Sequence, residues 1–242
     1  MRRASKTEQD RLKRLAAAAA VAEIEDGMVL GLGSGSTAAL AVEALAERVA
    51  KGLEVAAIAT SERTAALAGR LGIRLTSFAE HRRIDMTIDG ADEVEIGSLN
   101  LIKGLGGALW REKIVASASD RMLVIVDESK LVDRLGQRSA LPVEVGTFGW
   151  QVVLERLAEA GRSPRLRMSG DQPFRTDGGN YVADCRVAEI PDPAGLEQRL
   201  RAVVGVVECG LFLGLASQVI VGTGTGVKFL DRSSNDQRAS PS

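Results

Sequence analysis

The sequence predicts an α/β fold with a doubly wound, mostly parallel sheet and a second, inserted α+β domain. Between residues 28 and 127, short apolar runs alternate with longer segments of helical periodicity, which is the pattern of βα units around a parallel sheet. After residue 135 the order of elements changes to βαββαβ, and a last apolar run follows. The first pattern is Rossmann-like and the second is ferredoxin-like.

The strands of the first sheet are predicted where apolar, β-branched residues cluster. Nearly continuous hydrophobicity suits strands that are covered by helices on both faces. These strands are 28–33, 55–60, 84–89 and 122–126, and the helices between them are 36–50, 62–71 and 107–118. An alanine-rich run, 15–22, is too short for a membrane span and is flanked by acidic residues, so it is interpreted as a helix.

The second half of the chain is predicted to build the inserted domain. Its strands are 141–146, 165–168, 181–187 and 206–212, its helices are 150–160 and 194–203, and 177–180 forms a hairpin turn. The last apolar run, 218–230, would most simply return to the first sheet. We therefore expect residues 1–135 and 212–231 in the Rossmann-like domain, 136–211 in the insert, and a disordered polar tail at 232–242.

Composition excludes several classes of protein. The chain has 242 residues, with 31 Lys and Arg against 32 Asp and Glu, so it has no general field that would attract nucleic acid or anionic lipid. The two cysteines, Cys185 and Cys209, lack CxxC spacing, and His81 is the single histidine. Neither a disulfide framework nor a zinc cluster is expected, and a reduced, cytoplasmic location is the default expectation.

A glycine-rich turn follows the first strand. It contains Gly33, Ser34, Gly35, Ser36 and Thr37. Glycines let the backbone approach a ligand closely, and amides and hydroxyls at a helix N-terminus suit a phosphate. Alone this signal is weak, because a tight turn capped by a serine explains it as well. The segment 61–64 repeats the arrangement after the next strand, where a simple helix cap is at least as good an interpretation.

An acidic cluster, DGADE, ends the third strand. Ligands of open α/β sheets bind off this edge, and Asp89, Gly90, Ala91 and Asp92 would face such a ligand. The alternative is a solvated acidic turn, and Glu93 is assigned to it.

A third signal joins Lys103 to a glycine-rich turn and a helix start. The turn contains Gly104, Gly106 and Gly107, and Glu112 lies about a turn and a half into the helix. This combination pairs a base with an electrophile. The alternative is an ordinary charged helix face over residues 111–113, with Trp110 packing the helix.

The three signals fall at the same end of one predicted sheet, which chance does not readily supply. The sequence has no GxSxG or HExxH motif, so serine-hydrolase and zinc-protease chemistry are disfavoured. Carboxylates, a lysine and an anion cradle remain. They fit proton transfer between adjacent carbons of a phosphorylated hydroxy-carbonyl compound through an enediolate.

Five segments closely resemble the ribose-5-phosphate isomerase A family. They are GLGSGSTA (31–38), DGADE (89–93), KGLGGALWREK (103–113), DESK (127–130) and LPVEV (141–145). The resemblance runs from the helix of Lys13 to GTGTGVK (222–228). It implies interconversion of D-ribose 5-phosphate and D-ribulose 5-phosphate through a cis-enediolate, with no metal or organic cofactor, in a homodimer or tetramer.

The resemblance also implies residue roles. Glu112 matches the general base, Lys103 matches the lysine that stabilises the enediolate, and Asp89 and Asp92 match carboxylates that handle sugar hydroxyls and ring opening. The residues around the sugar phosphate would be Gly33, Ser34, Gly35, Ser36, Thr37, Gly90, Ala91, Gly104, Gly106, Gly107, Lys130 and Lys13. Leu105 and Trp110 depart from the family pattern beside the site.

Two alternatives belong to other classes. A non-catalytic sugar-phosphate sensing domain has a related fold, but it should carry a helix-turn-helix in front, and residues 1–26 are too few for one. A nucleotide-dependent dehydrogenase would need an acidic residue at the end of the second strand, where the sequence has Thr60 and Ser61. The isomerase interpretation is favoured over both.

Overall fold

The computed structural model describes residues 6–159 and 163–232. The helices in these residues are α1 (Lys6–Ala22), α2 (Ser36–Val49), α3 (Glu62–Arg70), α4 (Leu109–Ser117), α5 (Trp150–Glu159) and α6 (Pro193–Arg201). The strands are β1 (Val29–Leu32), β2 (Ala56–Ala59), β3 (Ile84–Asp89), β4 (Glu93–Glu95), β5 (Leu101–Ile102), β6 (Ser119–Asp127), β7 (Leu131–Val132), β8 (Leu141–Val145), β9 (Ser163–Leu166), β10 (Met168–Ser169), β11 (Gln172–Pro173), β12 (Tyr181–Arg186), β13 (Val206–Cys209), β14 (Leu211–Phe212), β15 (Gln218–Thr223) and β16 (Gly226–Asp231). A short 3-10 helix, Glu128–Lys130, follows β6.

The first sheet has the strand order β16-β15-β6-β3-β1-β2. All neighbours are parallel except the edge hairpin β15–β16. The prediction of a doubly wound, mostly parallel sheet is confirmed, and the last apolar run returns to this sheet as expected. Because Leu32 of β1 lies opposite Ile88 of β3, the segments that begin at Gly33 and Asp89 leave the sheet side by side.

Both faces of this sheet are covered, as the strand composition predicted. Alternate residues of β6 point to opposite faces. Leu123 and Ile125 pack with α1 and α2, in a cluster that includes Ala16 and Leu45. Val124 belongs to a second cluster, on the side of α4 and the strands that follow β3. The N-terminal alanine-rich segment is a helix, as predicted, and no helix in the described residues is long and apolar enough to cross a membrane.

The second sheet has the strand order β13-β8-β12-β9, and all neighbours are antiparallel. With α5 and α6 between its strands it has the ferredoxin-like arrangement that the sequence predicted, and its core includes Val143, Leu157 and Leu200. The predicted strand 165–168 is shifted towards the N-terminus: β9 ends at Leu166, and Met168 belongs to a small hairpin of β10 and β11. The turn after it carries Gly179 at φ 81°.

A third, small sheet was not predicted. Its order is β14-β5-β4-β7, and it links segments that follow β3 and β6 to the end of the second sheet. The predicted single strand 206–212 is interrupted at Gly210, whose backbone approaches Lys103 and Pro142 so closely that a Cβ would lie 2.2 Å from the Lys103 carbonyl oxygen. The predicted helix 107–118 begins only at Leu109, because Gly107 has a φ of 81°.

The domain boundaries near residues 135 and 212 stay a prediction. Strands β8, β9, β12 and β13 form a sheet of their own, whereas β14 pairs with the third sheet. The predicted disordered tail lies outside the described residues, apart from Arg232, whose guanidinium donates to the Ala216 carbonyl at 3.1 Å.

Candidate active site

Three loops meet at the carboxyl edge of the first sheet and enclose a cleft of about 120 Å³. They follow β1, β3 and β5, and α1 and the 3-10 helix contribute one lysine each. The residues that line the cleft are Lys13, Ser34, Gly35, Ser36, Thr37, Gly90, Ala91, Asp92, Lys103, Gly104, Gly106, Glu112 and Lys130. The convergence that the sequence predicted is therefore present in the fold.

Asp89 ends β3 and is completely buried. Its Oδ1 accepts hydrogen bonds from the backbone N–H groups of Ser34, at 3.1 Å, and Gly90, at 2.7 Å. A Cβ on Gly33 would lie 2.1 Å from the same oxygen, so only glycine fits there. Gly33 thus lies beneath the cleft rather than on its surface, and Asp89 ties the loop after β1 to the loop after β3.

Lys103 lies at the centre of a buried charged cluster. Its Nζ is 2.9 Å from Asp89 Oδ2 and 3.3 Å from Glu112 Oε2, and it donates a hydrogen bond to the Gly90 carbonyl at 2.6 Å. The same Nζ lies 5.4 Å from the centre of the Phe212 ring, within the range of a cation–π contact. These partners hold the ammonium at the bottom of the cleft.

Glu112 lies in the first turn of α4 and is 4% exposed. The positive end of the helix dipole favours a carboxylate at this position. Within the described residues, Glu112 Oε2 and Asp89 Oδ2 are buried without a hydrogen bond of regular geometry, so their contact with Lys103 is an ion pair. Of these two residues Glu112 lines the cleft, so its buried acceptor is positioned to take a proton from a ligand.

The cluster perturbs the pKa values of its members. Burial raises the pKa of Glu112 to about 8, against the opposing effect of the Lys103 ammonium, and the Asp89 charge raises it further. Burial also raises the pKa of Asp89, while Lys103 opposes that shift. Burial lowers the pKa of Lys103, but the charges of Asp89 and Glu112 outweigh this and hold it above its ordinary value. The cluster therefore combines a permanent ammonium with a carboxyl group that ionises near neutral pH, which suits a general base.

Asp92 has a different environment from Asp89. It is half-buried and lines the cleft, and its Oδ2 accepts a hydrogen bond from the Leu105 N–H at 2.9 Å. One carboxylate oxygen is thereby used to hold the loop of Lys103. Asp92 thus lines the cleft, whereas Asp89 is not part of the cleft lining and pairs with Lys103.

The other end of the cleft is suited to an anion. Helix α2 begins at Ser36 after Gly35, whose φ is 95°, and no side chain caps this N-terminus. Lys13 reaches it from α1, with Nζ 3.4 Å from Ser36 Oγ, and Lys130 comes from the 3-10 helix. Uncapped N–H groups, a helix dipole and two ammonium groups together form a phosphate-sized cradle.

Two predicted site residues, Ser34 and Gly107, do not present a side chain to the cleft. Ser34 lines the cleft, but its hydroxyl turns to Thr60 and Ser61, at 2.7 and 2.8 Å. Ser61 accepts a hydrogen bond from the Thr64 N–H at the start of α3, which supports its interpretation as a helix cap. Gly107 lies outside the cleft, since a Cβ there would be 2.4 Å from the ring of Phe174.

The expectation for Glu93 is wrong. It is not in a solvated turn but completely buried, and its carboxylate accepts hydrogen bonds from the backbone N–H groups of Gly136, Arg138 and Ser139. No motif near Glu93 indicates this partner loop, which lies more than forty positions away along the chain. Glu93 fixes that loop rather than contacting the cleft.

The flanking residues of Glu112 are not an ordinary charged face. Arg111 donates to the Asp177 carbonyl at 2.7 Å, and Lys113 lies 3.0 Å from Glu197 and 2.9 Å from Glu208. In the described part of the chain, Glu197, Glu208 and Cys209 are the one group close enough together to hold a metal ion. The ammonium of Lys113 already pairs with both carboxylates.

Two residues that contact Lys103 or the loop after it were not predicted from the sequence. Phe212 contacts its ammonium through the ring, and Arg167 donates to the carbonyls of Gly104 and Leu105, at 3.2 and 2.9 Å. Neither lies in a motif, and Arg167 is more than sixty residues from the loop that it contacts. Only the pairing of the sheets brings them to the site.

Known proteins resemble this chain over most of its length. The family model described as ribose 5-phosphate isomerase A (phosphoriboisomerase A) matches residues 56–226. Ribose-5-phosphate isomerase A of Gloeobacter violaceus is 56% identical over 221 residues, which cover 91% of this chain and 96% of the relative. The protein of that name from Gluconobacter oxydans is 52% identical over 227 residues, which cover 93% and 98%.

Solved structures agree with the sequence comparisons. The structure of ribose 5-phosphate isomerase A from Methanocaldococcus jannaschii superposes with a TM-score of 0.88 at 41% identity, over 92% of this chain and 99% of the other. A D-ribose-5-phosphate isomerase in complex with phospho-erythronic acid gives 0.89 at 40% identity, over 93% and 99%. The sequence identity and the shared fold lead to one conclusion: this chain belongs to the ribose-5-phosphate isomerase A family.

Proposed function

We propose that this chain interconverts D-ribose 5-phosphate and D-ribulose 5-phosphate, with Glu112 as the base that moves a proton between C2 and C1. The observation that carries the proposal is the buried contact of Glu112 with Lys103, at 3.3 Å, at the bottom of a cleft that ends in an anion cradle. Family membership supports the same activity, since the similar proteins are named as ribose-5-phosphate isomerases.

The phosphate of the substrate would bind at the N-terminus of α2. Lys13 and Lys130 supply positive charge there, and the uncapped N–H groups after Gly35 supply donors. Anchoring the phosphate at one end of the cleft holds the carbonyl end of the open-chain sugar near Lys103 and Glu112, which converts the reaction into a positioned, unimolecular step.

Proton transfer then follows from the cluster. The Glu112 carboxylate takes the proton from C2 of the aldose, the electron pair of that bond forms the C1=C2 double bond, and the carbonyl oxygen on C1 gains negative charge. The Lys103 ammonium stabilises this oxygen. A proton passes from the C2 hydroxyl to the oxygen on C1, and Glu112 returns its proton to C1, so that the ketone forms at C2.

The two aspartates support different parts of this reaction. Asp92 lines the cleft and handles the sugar hydroxyls during ring opening. Asp89 lies behind Lys103 and fixes its ammonium at 2.9 Å. A non-catalytic sensing domain, the alternative function, would have no need for a buried carboxyl with a pKa of about 8 beside an ammonium group.

The test measures ketose formation from D-ribose 5-phosphate and aldose formation from D-ribulose 5-phosphate by the purified protein. Both reactions are repeated in the presence of EDTA. The wild-type chain is expected to isomerise the substrate and to remain active with the chelator. Loss of turnover in EDTA that a divalent ion restores would contradict the proposed metal-free mechanism.

A matched pair of variants tests the base. Glu112→Gln retains the shape of the side chain but cannot take a proton, so we expect kcat to fall by about 100-fold or more. Glu62→Gln changes a largely exposed glutamate and should leave turnover unchanged. Both variants should still bind phospho-erythronic acid in a calorimeter. A Glu112→Gln protein that keeps a tenth of wild-type turnover would refute the assignment.

The assembly and location of the protein are further parts of the proposal. The binding partner is a small sugar phosphate, and a homodimer or homotetramer and a cytoplasmic location remain predictions from the sequence. Size-exclusion chromatography with light scattering measures the number of subunits. A monomer at micromolar concentration would contradict the prediction of a homodimer or homotetramer.

A further inference from the structure

Arg167 lies directly after β9 in the second sheet, and its side chain reaches the loop of the first sheet that carries Lys103. We call residues 103–107 the glycine loop. Nη1 of Arg167 donates to the Leu105 carbonyl at 2.9 Å and to the Gly104 carbonyl at 3.2 Å. One guanidinium nitrogen thus holds two consecutive carbonyl groups of the glycine loop.

The rest of the guanidinium is held from behind. Nε donates to Asp184 Oδ2 at 2.8 Å and Nη2 donates to Asp184 Oδ1, which makes a two-bond pair with a carboxylate on β12. The Phe174 ring lies 5.6 Å from the guanidinium carbon. A planar guanidinium that is fixed on one edge by a carboxylate presents its other edge at a defined angle, which lysine cannot reproduce.

The glycine loop needs such an external support. Gly104 has a φ of 104° and Gly107 a φ of 81°, and the turn is closed by one internal hydrogen bond, from the Gly107 N–H to the Gly104 carbonyl at 2.9 Å. Glycine loses more conformational freedom on ordering than other residues do. A short turn rich in glycine would therefore adopt several conformations without contacts from outside.

Arg167 and Asp92 hold the two ends of the same peptide bond. The Gly104–Leu105 peptide gives its C=O to Arg167 and its N–H to Asp92 Oδ2, at 2.9 Å. In a planar trans peptide these two groups point in opposite directions, so Arg167 lies on one side and Asp92 on the other. Rotation of this peptide would break both hydrogen bonds together.

The Leu105–Gly106 peptide is oriented in the same way. Because the Leu105 carbonyl points to Arg167, the Gly106 N–H points away from it. Gly106 and Asp92 both line the cleft, whereas Arg167 does not. The orientation that Arg167 imposes thus decides how a donor and a carboxylate meet the substrate.

We propose that Arg167 is a positioning residue for isomerisation, which holds the glycine loop so that Asp92 and the Gly106 N–H face the sugar oxygens. The inference deepens the proposed function and rests on it. It assigns the second sheet a part in the reaction, through a residue that does not touch the substrate.

The test compares Arg167→Met and Arg167→Lys with a control in the same segment, Arg175→Met. Arg175 is exposed and lies 5.9 Å from the Tyr181 ring, away from the cleft. We expect Arg167→Met to lower kcat by about 10-fold to 100-fold with KM changed less than about threefold, because misplacement of the loop affects alignment more than phosphate anchoring. Arg167→Lys should recover only a small part of this loss, and Arg175→Met should stay within about twofold of wild type.

A readout independent of turnover separates positioning from loss of stability. Amide hydrogen exchange at Leu105 should accelerate at least about tenfold in Arg167→Met and not in Arg175→Met, because the bond to Asp92 opens when the carbonyl is released. Unchanged kcat, KM and Leu105 exchange in a folded Arg167→Met protein would overturn the inference. Activity that falls only in proportion to the unfolded fraction, measured by urea denaturation, would overturn it as well.

The same experiments distinguish this inference from the proposed function. Absence of isomerisation in the wild-type protein would defeat the proposed function, and Leu105 exchange would still report whether Arg167 orders the loop. If wild type is active and all variants match it, the proposed function stands and the inference fails.

Discussion

Two lysines share the Phe212 ring, Lys103 buried and Lys113 partly buried, and their surroundings can be compared directly. Lys103 pairs with Asp89 and Glu112, and we call these three residues the Lys103 cluster. Lys113 pairs with Glu197 and Glu208, which form the Lys113 cluster. The two ammonium groups lie 5.4 and 5.1 Å from the ring centre. Each cluster thus has one cation, two carboxylates and the same aromatic contact.

The two clusters differ in how many hydrogen-bond partners their carboxylate oxygens have. In the Lys113 cluster, Glu208 Oε1 also accepts a hydrogen bond from the Cys209 N–H at 2.9 Å, and Arg201 lies 3.8 Å from its other oxygen. In the Lys103 cluster, two buried oxygens lack a regular hydrogen bond, and Lys103 and Glu112 line the cleft. Similar residue types therefore form a structural clamp in one place and the group to which we assign the reaction in the other, and unused acceptors beside a cleft make the difference.

The largest expected difference between the clusters is in turnover. Lys103→Met should lower kcat/KM by about 100-fold to 1,000-fold, because the enediolate oxygen loses its stabilising cation. Lys113→Met should stay within about fivefold, because Lys113 does not line the cleft and acts only through packing. Both are measured by ketose formation well below the unfolding temperature. Equal losses in the two variants would show that the clusters do not differ in role.

The pH dependence of turnover sharpens the comparison. The base must be ionised to act, so kcat/KM should rise with pH up to a midpoint near the Glu112 pKa of about 8, by about tenfold per unit below it. Lys103 stays charged across this range, because its pKa is raised. The substrate phosphate, whose second pKa is about 6, gives a separate limb that its own titration identifies. A midpoint near 4.5, the ordinary value for glutamate, would contradict the role of burial.

The closed cluster should matter more for stability. Lys113→Met removes the cation between two carboxylates, of which Glu208 is nearly buried, and we expect a loss of about 3 kcal/mol in the free energy of unfolding. Urea denaturation measures it. The double variant Lys113→Met/Glu208→Gln removes one stranded charge and should recover part of the loss. No change in the single variant would mean that the clamp adds nothing to the fold.

A further comparison sets the stability of Glu112→Gln against that of wild type at several pH values. The folded state raises the Glu112 pKa from 4.5 to about 8, so within this window the folded protein keeps a proton that the unfolded chain releases. Wild-type stability should therefore fall relative to the glutamine variant as pH rises from 4.5 to 8, and the gap should be constant above that. Thermal unfolding at several pH values measures the gap, and a gap that does not change across the window would contradict the shift.

The sequence allowed the main sheet and the Lys103 cluster to be predicted, because both follow from local rules. Carboxyl ends of parallel strands lie at one edge, so Asp89 and the turn after β1 had to be neighbours. Lys103 and Glu112 followed from a glycine turn at a helix start. These are relations between a motif and its own element.

The remaining features depend on contacts between distant segments. Glu93 looked like a solvated turn residue, because nothing near it shows the three N–H groups that it binds. Arg167 and Phe212 have no motif, and the third sheet uses two- and three-residue strands that are too short for periodicity to be visible. Such contacts are decided by how the sheets pack, which one sequence does not specify locally.

Asp177, in the turn before β12, links the second sheet to two helices of the first part of the chain. Its carboxylate accepts a hydrogen bond from the Glu62 N–H at the start of α3, at 2.8 Å, and its carbonyl accepts one from Arg111 on α4. A single turn residue of the second sheet thus joins α3 to α4, the helix that carries Glu112. A recombination event that exchanged or deleted this sheet would remove both hydrogen bonds at once, so the two parts of the chain are expected to be inherited together rather than shuffled as separate modules.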